Sequence, residues 1–338
     1  MKTYRLLTSF SVLGLMIGLS SCENVFMTED VSDDAQAVFE HLWQDAHDRY
    51  SYFELKEIDW QDAKNRYEER IYDGMPEKEL FNILAEMLFE LNDGHVNLTS
   101  PFNRSRNWDW FQDYPLDYNQ GIIDRNYLGR DFWITGPFRN EIVDSVLYIN
   151  YRSFMHPFTE THVDELIERA EDLKGIIIDV RSNGGGSLDN ATKLAAAFTN
   201  ESYGYGQTRI KNGACADCFS SWNTLSVTPR SGPTFSGKVM VLTNRESYST
   251  TSYFAEMMRQ NENAKLVGSS TGGGVGTPVY GELPNGWLYR FSSTQMVNID
   301  GEHLEPGVPV DYEVSLLRED ELEGVDTIIE FAIDRIVN

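Results

Sequence analysis

Cysteine is scarce in this chain, three in 338 residues, and cations are outnumbered: 28 lysines and arginines face 53 aspartates and glutamates, a formal charge of −25. Three cysteines cannot build a disulfide framework, and no metal-finger spacing occurs, so no metal is expected. The shortage of positive charge excludes nucleic acid and anionic lipid head groups as partners, because both are bound by clustered lysine and arginine. Apart from one stretch near the N-terminus there is no long apolar run, which rules out a polytopic membrane protein. What the chain does have is 41% hydrophobic residues, 12% of all residues being aromatic, enough for a sizeable core in about two domains.

The apolar stretch follows Lys2 and Arg5, runs through residues 6–19 without a charge, and ends in Leu19-Ser20-Ser21-Cys22. A basic start, a run too short to span a bilayer and small residues at its end read as a secretory signal over residues 1–21. Leu-Ser-Ser-Cys resembles the lipobox of bacterial lipoproteins, which implies lipidation of Cys22, a membrane anchor there and an exported, cell-envelope protein. Removing Lys2 and Arg5 with the signal leaves a charge of −27. Residues 22–34 are acidic and polar, as suits a tether.

Residues 35–92 carry helical periodicity: Val38, Phe39, Leu42 and Trp43, then Phe81, Leu84, Met87, Leu88 and Leu91 recur at steps of three and four. Pro76 followed by Glu77 and Glu79 marks a helix start, and Asn92-Asp93-Gly94 a stop. Residues 93–145 form an irregular, aromatic connecting segment containing Trp108, Trp110 and Phe111. That cluster is read as a packed loop, with a glycan platform as the alternative; no acid–base carboxylate pair accompanies it. From residue 146 strands alternate with helices: strands at 146–151, 175–180, 238–242 and 265–268, helices at 163–173 and 188–198, and one that follows the strand at 238–242 and runs through Met258. Pro284-Asn285-Gly286 predicts a hairpin turn before a strand at 287–291. The expectation is an α/β core over residues 146–338 behind a helical N-terminal domain.

Two strand-to-helix junctions can carry chemistry. Asp179-Val-Arg-Ser-Asn183-Gly184-Gly185-Gly186-Ser187 lets backbone amides converge on an anion, yet no Gly-Lys-Ser/Thr follows and the G-x-G-x-x-G fingerprint is absent, so an oxyanion hole fits better than a phosphate site. In Asn244-Arg-Glu-Ser247-Tyr-Ser249-Thr250 a hydroxyl at a helix start is either an exposed nucleophile or a helix cap. A nucleophilic serine needs a base, which draws attention to His95 in Asp93-Gly94-His95 among only six histidines.

The runs GIIIDVRSNGGGS, VLTNRESYSTTSYFAEMM and KLVGSSTGGGVG resemble, in order and spacing, the tail-specific (C-terminal processing) serine peptidases, over most of residues 80–315. The resemblance implies a crotonase-like (ClpP/crotonase) α/β core of repeated ββα units, Ser249 as nucleophile, and the backbone amides of Gly185 and Thr250 as oxyanion donors. It implies no cofactor and an unstructured peptide or protein as substrate. One departure matters. The catalytic lysine of typical members falls on Gly274, and Lys265 lies on the preceding strand, pointing away. The tricorn and retinoid-binding-protein-like branch also has Thr-x-Gly-Gly in this turn, and tricorn-type members use a histidine and a late glutamate. His95 and Glu305 match those positions, with Glu302 competing for the glutamate's place and His303 and His156 as fallback bases. About 45 residues separate His95 from the strand at 146, too few for an inserted PDZ module of roughly 80–90 residues.

The expectation is therefore a serine peptidase of the cell envelope using Ser249 with a histidine base, whose activity rises with pH through roughly 6–7 as an ordinary imidazole loses its proton. The rival is a non-catalytic peptide- or ligand-binding lipoprotein that keeps the fold. Cys215-Ala-Asp-Cys218, in a Gly-, Asn- and Ser-rich loop, reads as a local disulfide. Oligomeric state is not legible.

Overall fold

The computed structural model describes residues 32–107, 112 and 114–338. Cys22, the signal segment, the tether up to residue 31, Trp108, Trp110 and Phe111 lie outside the described residues.

Three helices open the described chain: α1 (Ala35–Arg49), α2 (Trp60–Glu68) and α3 (Glu77–Phe89). Asp34 caps α1 by accepting from the Ala37 amide at 2.8 Å, and Val38, Phe39, Leu42, Trp43 and Ala46 turn one buried stripe inward. Pro76 stands at the N-cap of α3, where its missing N–H costs nothing. Trp43 and Trp60 each donate an indole N–H to the other's carbonyl, at 2.9 and 3.1 Å, which pins α1 to the start of α2. These helices do not close their own core. It is completed by Leu283, Trp287, Tyr289 and Phe291 from an antiparallel sheet of β1 (Asn97–Thr99), β11 (Leu288–Ser292) and β10 (Pro278–Glu282), in that order. Residues 283–287 are the turn of the expected hairpin, the Leu283 amide donating to the Trp287 carbonyl at 2.7 Å.

The central layer is a seven-stranded sheet. Its order is β13 (Tyr312–Glu313), β9 (Ala264–Gly268), β8 (Lys238–Thr243), β5 (Gly175–Asp179), β4 (Val146–Asn150), β3 (Phe138–Val143), β2 (Trp133–Thr135). From β13 to β4 neighbours run parallel; β3 and β2 are antiparallel. The central strands are buried on both faces, as parallel strands under helices must be. On one face Leu147, Ile149, Ile176, Ile178, Val239 and Val241 meet α4 (Glu160–Ala170), α5 (Leu188–Ala195) and α6 (Thr250–Arg259). On the other, Val146, Tyr148, Ile177, Met240 and Leu242 meet α7 (Thr327–Val337) and residues 122–128. A third sheet orders β12 (Thr294–Val297), β6 (Tyr203–Ile210) and β7 (Asn223–Val227), all antiparallel.

The boundary expected at 145/146 falls inside the large sheet, between the hydrogen-bonded strands β3 and β4. The segment preceding it is thus not a mere connector: its strands β2 and β3 extend the sheet and β1 joins the hairpin β10–β11. Cross-strand pairing with residues some 190 positions away is invisible to local periodicity.

Candidate active site

Strands β5 and β8 are adjacent and parallel, with Asp179 beside Leu242, so the two loops that follow them emerge side by side. In open α/β sheets the carboxyl ends of the strands are where sites form. Here the loop at 180–187 meets the loop at 244–249. Asn183 ties them: its carbonyl accepts from the Tyr248 amide at 3.1 Å, and its Oδ1 accepts from the Thr251 hydroxyl at 3.0 Å. Thr250 Oγ1 donates to the Gly186 carbonyl at 2.7 Å. Beneath them Arg181, fully buried, bridges Asp179 at 2.7 Å and Asp326 at 3.0 Å, fixing the strand end against α7.

Ser249 stands at the N-cap of α6 with φ 59° and ψ −123°. A non-glycine residue there carries strain of roughly 1–3 kcal/mol. Its backbone N–H donates to the Gly273 carbonyl at 2.8 Å, which holds the turn. The side chain makes no capping hydrogen bond. Instead Ser249 Oγ lies 3.0 Å from His95 Nε2. Of the two roles open to this hydroxyl from sequence, the geometry is that of a hydroxyl presented to a base.

His95 precedes β1, whose pairing with β11 brings it across to the junction. The ring is almost fully buried, stacks obliquely on Tyr248 with centroids 5.0 Å apart, and has Ser292 Oγ at 3.5 Å and Asp93 Oδ1 at 4.0 Å from Nδ1. Asp93 Oδ1 also accepts from the His95 amide at 2.8 Å. Burial lowers the His95 pKa to about 4; the Asp93 charge opposes the fall, while Arg290 and Lys56 add to it. The imidazole is therefore a neutral base through the neutral range. Burial also works against ionisation of Asp93, but Lys56, His95 and hydrogen bonds from the His95 amide and Ser292 outweigh it and hold the carboxyl below its usual value.

Glu305, expected beside the imidazole, is placed elsewhere. Its Oε1 is 3.0 Å from Lys56 Nζ, which also donates to the Asn92 carbonyl at 3.0 Å. Among the described residues, Asp93 is the carboxylate that comes within 4.0 Å of the His95 ring. Glu305 sits behind it, its pKa raised to about 7 by burial and by the Asp93 charge, against the pull of Lys56. Glu302 is engaged with Asn298 at 2.8 Å. His303 and His156 do not line the cleft, and Lys265 is exposed and pairs with Asp311 at 3.3 Å. Asp93 was legible only as part of a turn, since Asn-Asp-Gly is the signature of one; its position two residues before the histidine was the available signal. Lys56 and Ser292 carry no local signal at all.

The oxyanion donors divide. The Thr250 amide, first of α6, has no intrahelical acceptor and lies next to the nucleophile. The Gly185 amide, expected as the second donor, donates to Asn183 Oδ1 at 3.0 Å, because that oxygen closes the glycine loop on itself. What Gly185 provides is closeness: a Cβ there would stand 2.7 Å from the Tyr248 carbonyl oxygen and 2.9 Å from Ser249 Cβ, at a φ of +96°. Gly274 likewise has φ +63°, and a Cβ on it would lie 2.1 Å from Tyr248 Cζ. No side chain, lysine included, fits that position while Tyr248 packs on His95. Cys215 and Cys218 are disulfide-bonded, with Cα atoms 5.1 Å apart, in the loop after β6.

Ser249 and His95 open into a cleft of about 850 Å³ bordered by the glycine loop, residues 274–278 and the β1–β11–β10 sheet. Among the described residues no group of His, Cys, Asp and Glu is arranged to hold a metal ion.

Residues 145–314 match the model of Peptidase family S41, and residues 32–89 match the Tricorn protease C1 domain. A probable CtpA-like serine protease of Staphylococcus haemolyticus is 28% identical over 136 residues, 40% of this chain and 26% of that protein. The match thus spans well under two thirds of that relative's length. A solved protein of Parabacteroides merdae, described as a candidate peptidase, is 38% identical with a TM-score of 0.87, covering 91% of this chain and 98% of that one. Mature CPAF, 13% identical with a TM-score of 0.66 over 89% and 96% of the two chains, is similar in fold. The chain belongs to Peptidase family S41, a family of serine peptidases.

Proposed function

We propose that this chain hydrolyses peptide bonds in unfolded proteins or peptides of the cell envelope, with Ser249 as nucleophile and His95, in place of a lysine, as base. The observation that carries the reading is the 3.0 Å approach of Ser249 Oγ to His95 Nε2, made by a hydroxyl that declines to cap its helix. Ser249 Oγ attacks the scissile carbonyl carbon while Nε2 takes its proton; Nε2 then protonates the leaving amine, and water, activated by the same nitrogen, releases the acyl group. Asp93 and Ser292 orient the ring from Nδ1, and the Asp93 charge favours the imidazolium formed in the transition state. The Thr250 amide at the start of α6 stabilises the oxyanion. We read the core as crotonase-like, on the parallel strands β4, β5, β8 and β9 with helices following β5 and β8.

The envelope setting rests on the sequence alone, on the signal segment and Cys22 as a lipid anchor; Cys22→Ser should shift the expressed protein from the membrane to the soluble fraction. The chemistry is tested with a fluorophosphonate probe. Wild type should be labelled, Ser249→Ala should not, and His95→Ala should be labelled at least a hundredfold more slowly. Labelling that persists in Ser249→Ala would remove the nucleophile, and no labelling of the folded wild type would turn the reading to a non-catalytic binder.

A further inference from the structure

Among the described residues, cations outnumber carboxylates in the lining of the cleft, on a strongly negative protein. Arg104, Arg106 and Arg290 line it with the carboxylate Glu246, whereas the chain as a whole carries −25. Arg290 is the telling one. It sits on β11 in the middle of a rung, with Asn97 of β1 as its partner on one side and Tyr280 of β10 on the other. Residues directly opposite on neighbouring strands share a face, and all three line the cleft. Asn97 begins two residues after His95, so the rung lies alongside the catalytic pair. Asn97 Oδ1 accepts from Arg104 Nη2, which draws the second arginine to the same rung.

Arg290 Nε is buried, and among the described residues it has no hydrogen-bond partner and the guanidinium makes no ion pair. Burying a guanidinium nitrogen without an acceptor is costly, and in a chain with 53 carboxylates an intramolecular partner would have been easy to supply. Its planar fork matches a carboxylate geometrically. Arg290 is also close enough to His95 to help depress its basicity, which sets it within electrostatic reach of the reacting atoms.

We propose that this rung is a substrate subsite: Arg290, with Arg104 drawn to the same rung, receives a carboxylate of the peptide next to the scissile bond. The inference rests on the peptidase reading and adds to it a substrate class, peptides carrying an acidic group near the cleavage point. That group is an Asp or Glu side chain. It would neutralise a cation that helps depress the basicity of His95.

The test uses binding, so that it does not depend on turnover. Four fluorescein-labelled pools of random decapeptides are titrated into full-length Ser249→Ala protein and followed by anisotropy. Two contain Asp and Glu, two contain Asn and Gln in their place; each kind is made with a free and with an amidated C-terminus. The carboxylate-bearing pools should bind about tenfold more tightly, and the advantage should shrink between 50 and 500 mM salt. Arg290→Gln should abolish the advantage and Arg290→Lys retain part of it. An advantage that follows the side chains assigns the subsite to an acidic residue; one that follows only the free terminus overturns that assignment. Equal binding by all pools, tighter binding of the amide pools, no binding of any pool, or an advantage that survives in folded Arg290→Gln overturns the proposal. If Arg290→Gln does not fold, Arg104→Gln should reduce the advantage at least threefold, and an unchanged advantage overturns it. Failure of fluorophosphonate labelling with an intact charge preference would refute the chemistry and leave the subsite standing.

Discussion

Gly274 offers the sharpest test of how this site is built, because related sequences lead one to expect a lysine there. Its φ of +63° costs a non-glycine residue about 1–2 kcal/mol. A Cβ would lie 2.1 Å from Cζ and 2.5 Å from the hydroxyl oxygen of Tyr248, which is buried and must move. Overpacking of this kind costs about 1–3 kcal/mol. Gly274→Ala should thus lose about 2–5 kcal/mol, lowering Tm by about 4–20 °C at the ~2–4 °C per kcal/mol typical of large domains. Function should suffer more than stability. Tyr248 packs on the His95 ring, precedes Ser249, and donates its amide to Asn183. A shift of about 1 Å at the reacting pair costs on the order of 10² in rate, so kcat/KM on a quenched-fluorescence peptide should fall about a hundredfold. The decisive arm is Gly274→Lys in the His95→Ala background: it should remain inactive. Restored turnover there, or a Gly274→Ala protein with wild-type Tm and kcat/KM, would refute the steric argument and reinstate a serine–lysine dyad.

Three further outcomes follow from the geometry. Asp93→Asn should lower kcat about 10²–10⁴-fold by removing the charge that favours the imidazolium, while Glu305→Gln should cost less than tenfold; the opposite order would return Glu305 to the place beside the histidine. Because burial holds His95 near a pKa of about 4, below the ordinary imidazole value, the base is free at lower pH than sequence alone suggests. The acid limb of kcat/KM should therefore still be high at pH 5.5, where an unperturbed imidazole of pKa about 6.5 would be about nine-tenths protonated, and a limb centred between 6 and 7 would contradict the burial argument. Arg181→Ala should destabilise by about 3–5 kcal/mol in urea unfolding, since it strands Asp179 and Asp326 without their cation; a change below 1 kcal/mol would show that the pair is not a fixture of the strand end.

The elements most legible in the sequence were those whose burial is one-sided or complete. The stripe Val38-Phe39-Leu42-Trp43 and the run Ile176-Ile177-Ile178 declare a helix face and a buried strand because side-chain direction follows backbone period. The two loops that border the candidate site were legible for a related reason: glycines and hydroxyls after an apolar strand mark a sharp turn. Less legible were β1, β2 and β3, short strands in an aromatic, irregular stretch whose pairing partners lie in other parts of the chain. The site's charge arrangement was the least legible. Lys56 and Glu305 are 249 positions apart, and nothing local tells a lysine in the turn between α1 and α2 that it will meet a buried carboxylate.

By itself, the sequence determined the anionic character of the chain, the α/β core, the serine at the start of a helix and the absence of a lysine in the turn at 271–276. Each of these follows from composition or from nearest-neighbour periodicity. Only the tertiary structure decided which carboxylate accompanies His95, which amide remains for an oxyanion, and that Tyr248 fills the space a lysine would need. Those choices depend on distances of 3 to 4 Å between groups brought together by sheet register. Electrostatics and packing at that range are properties of the assembled chain rather than of any segment of it.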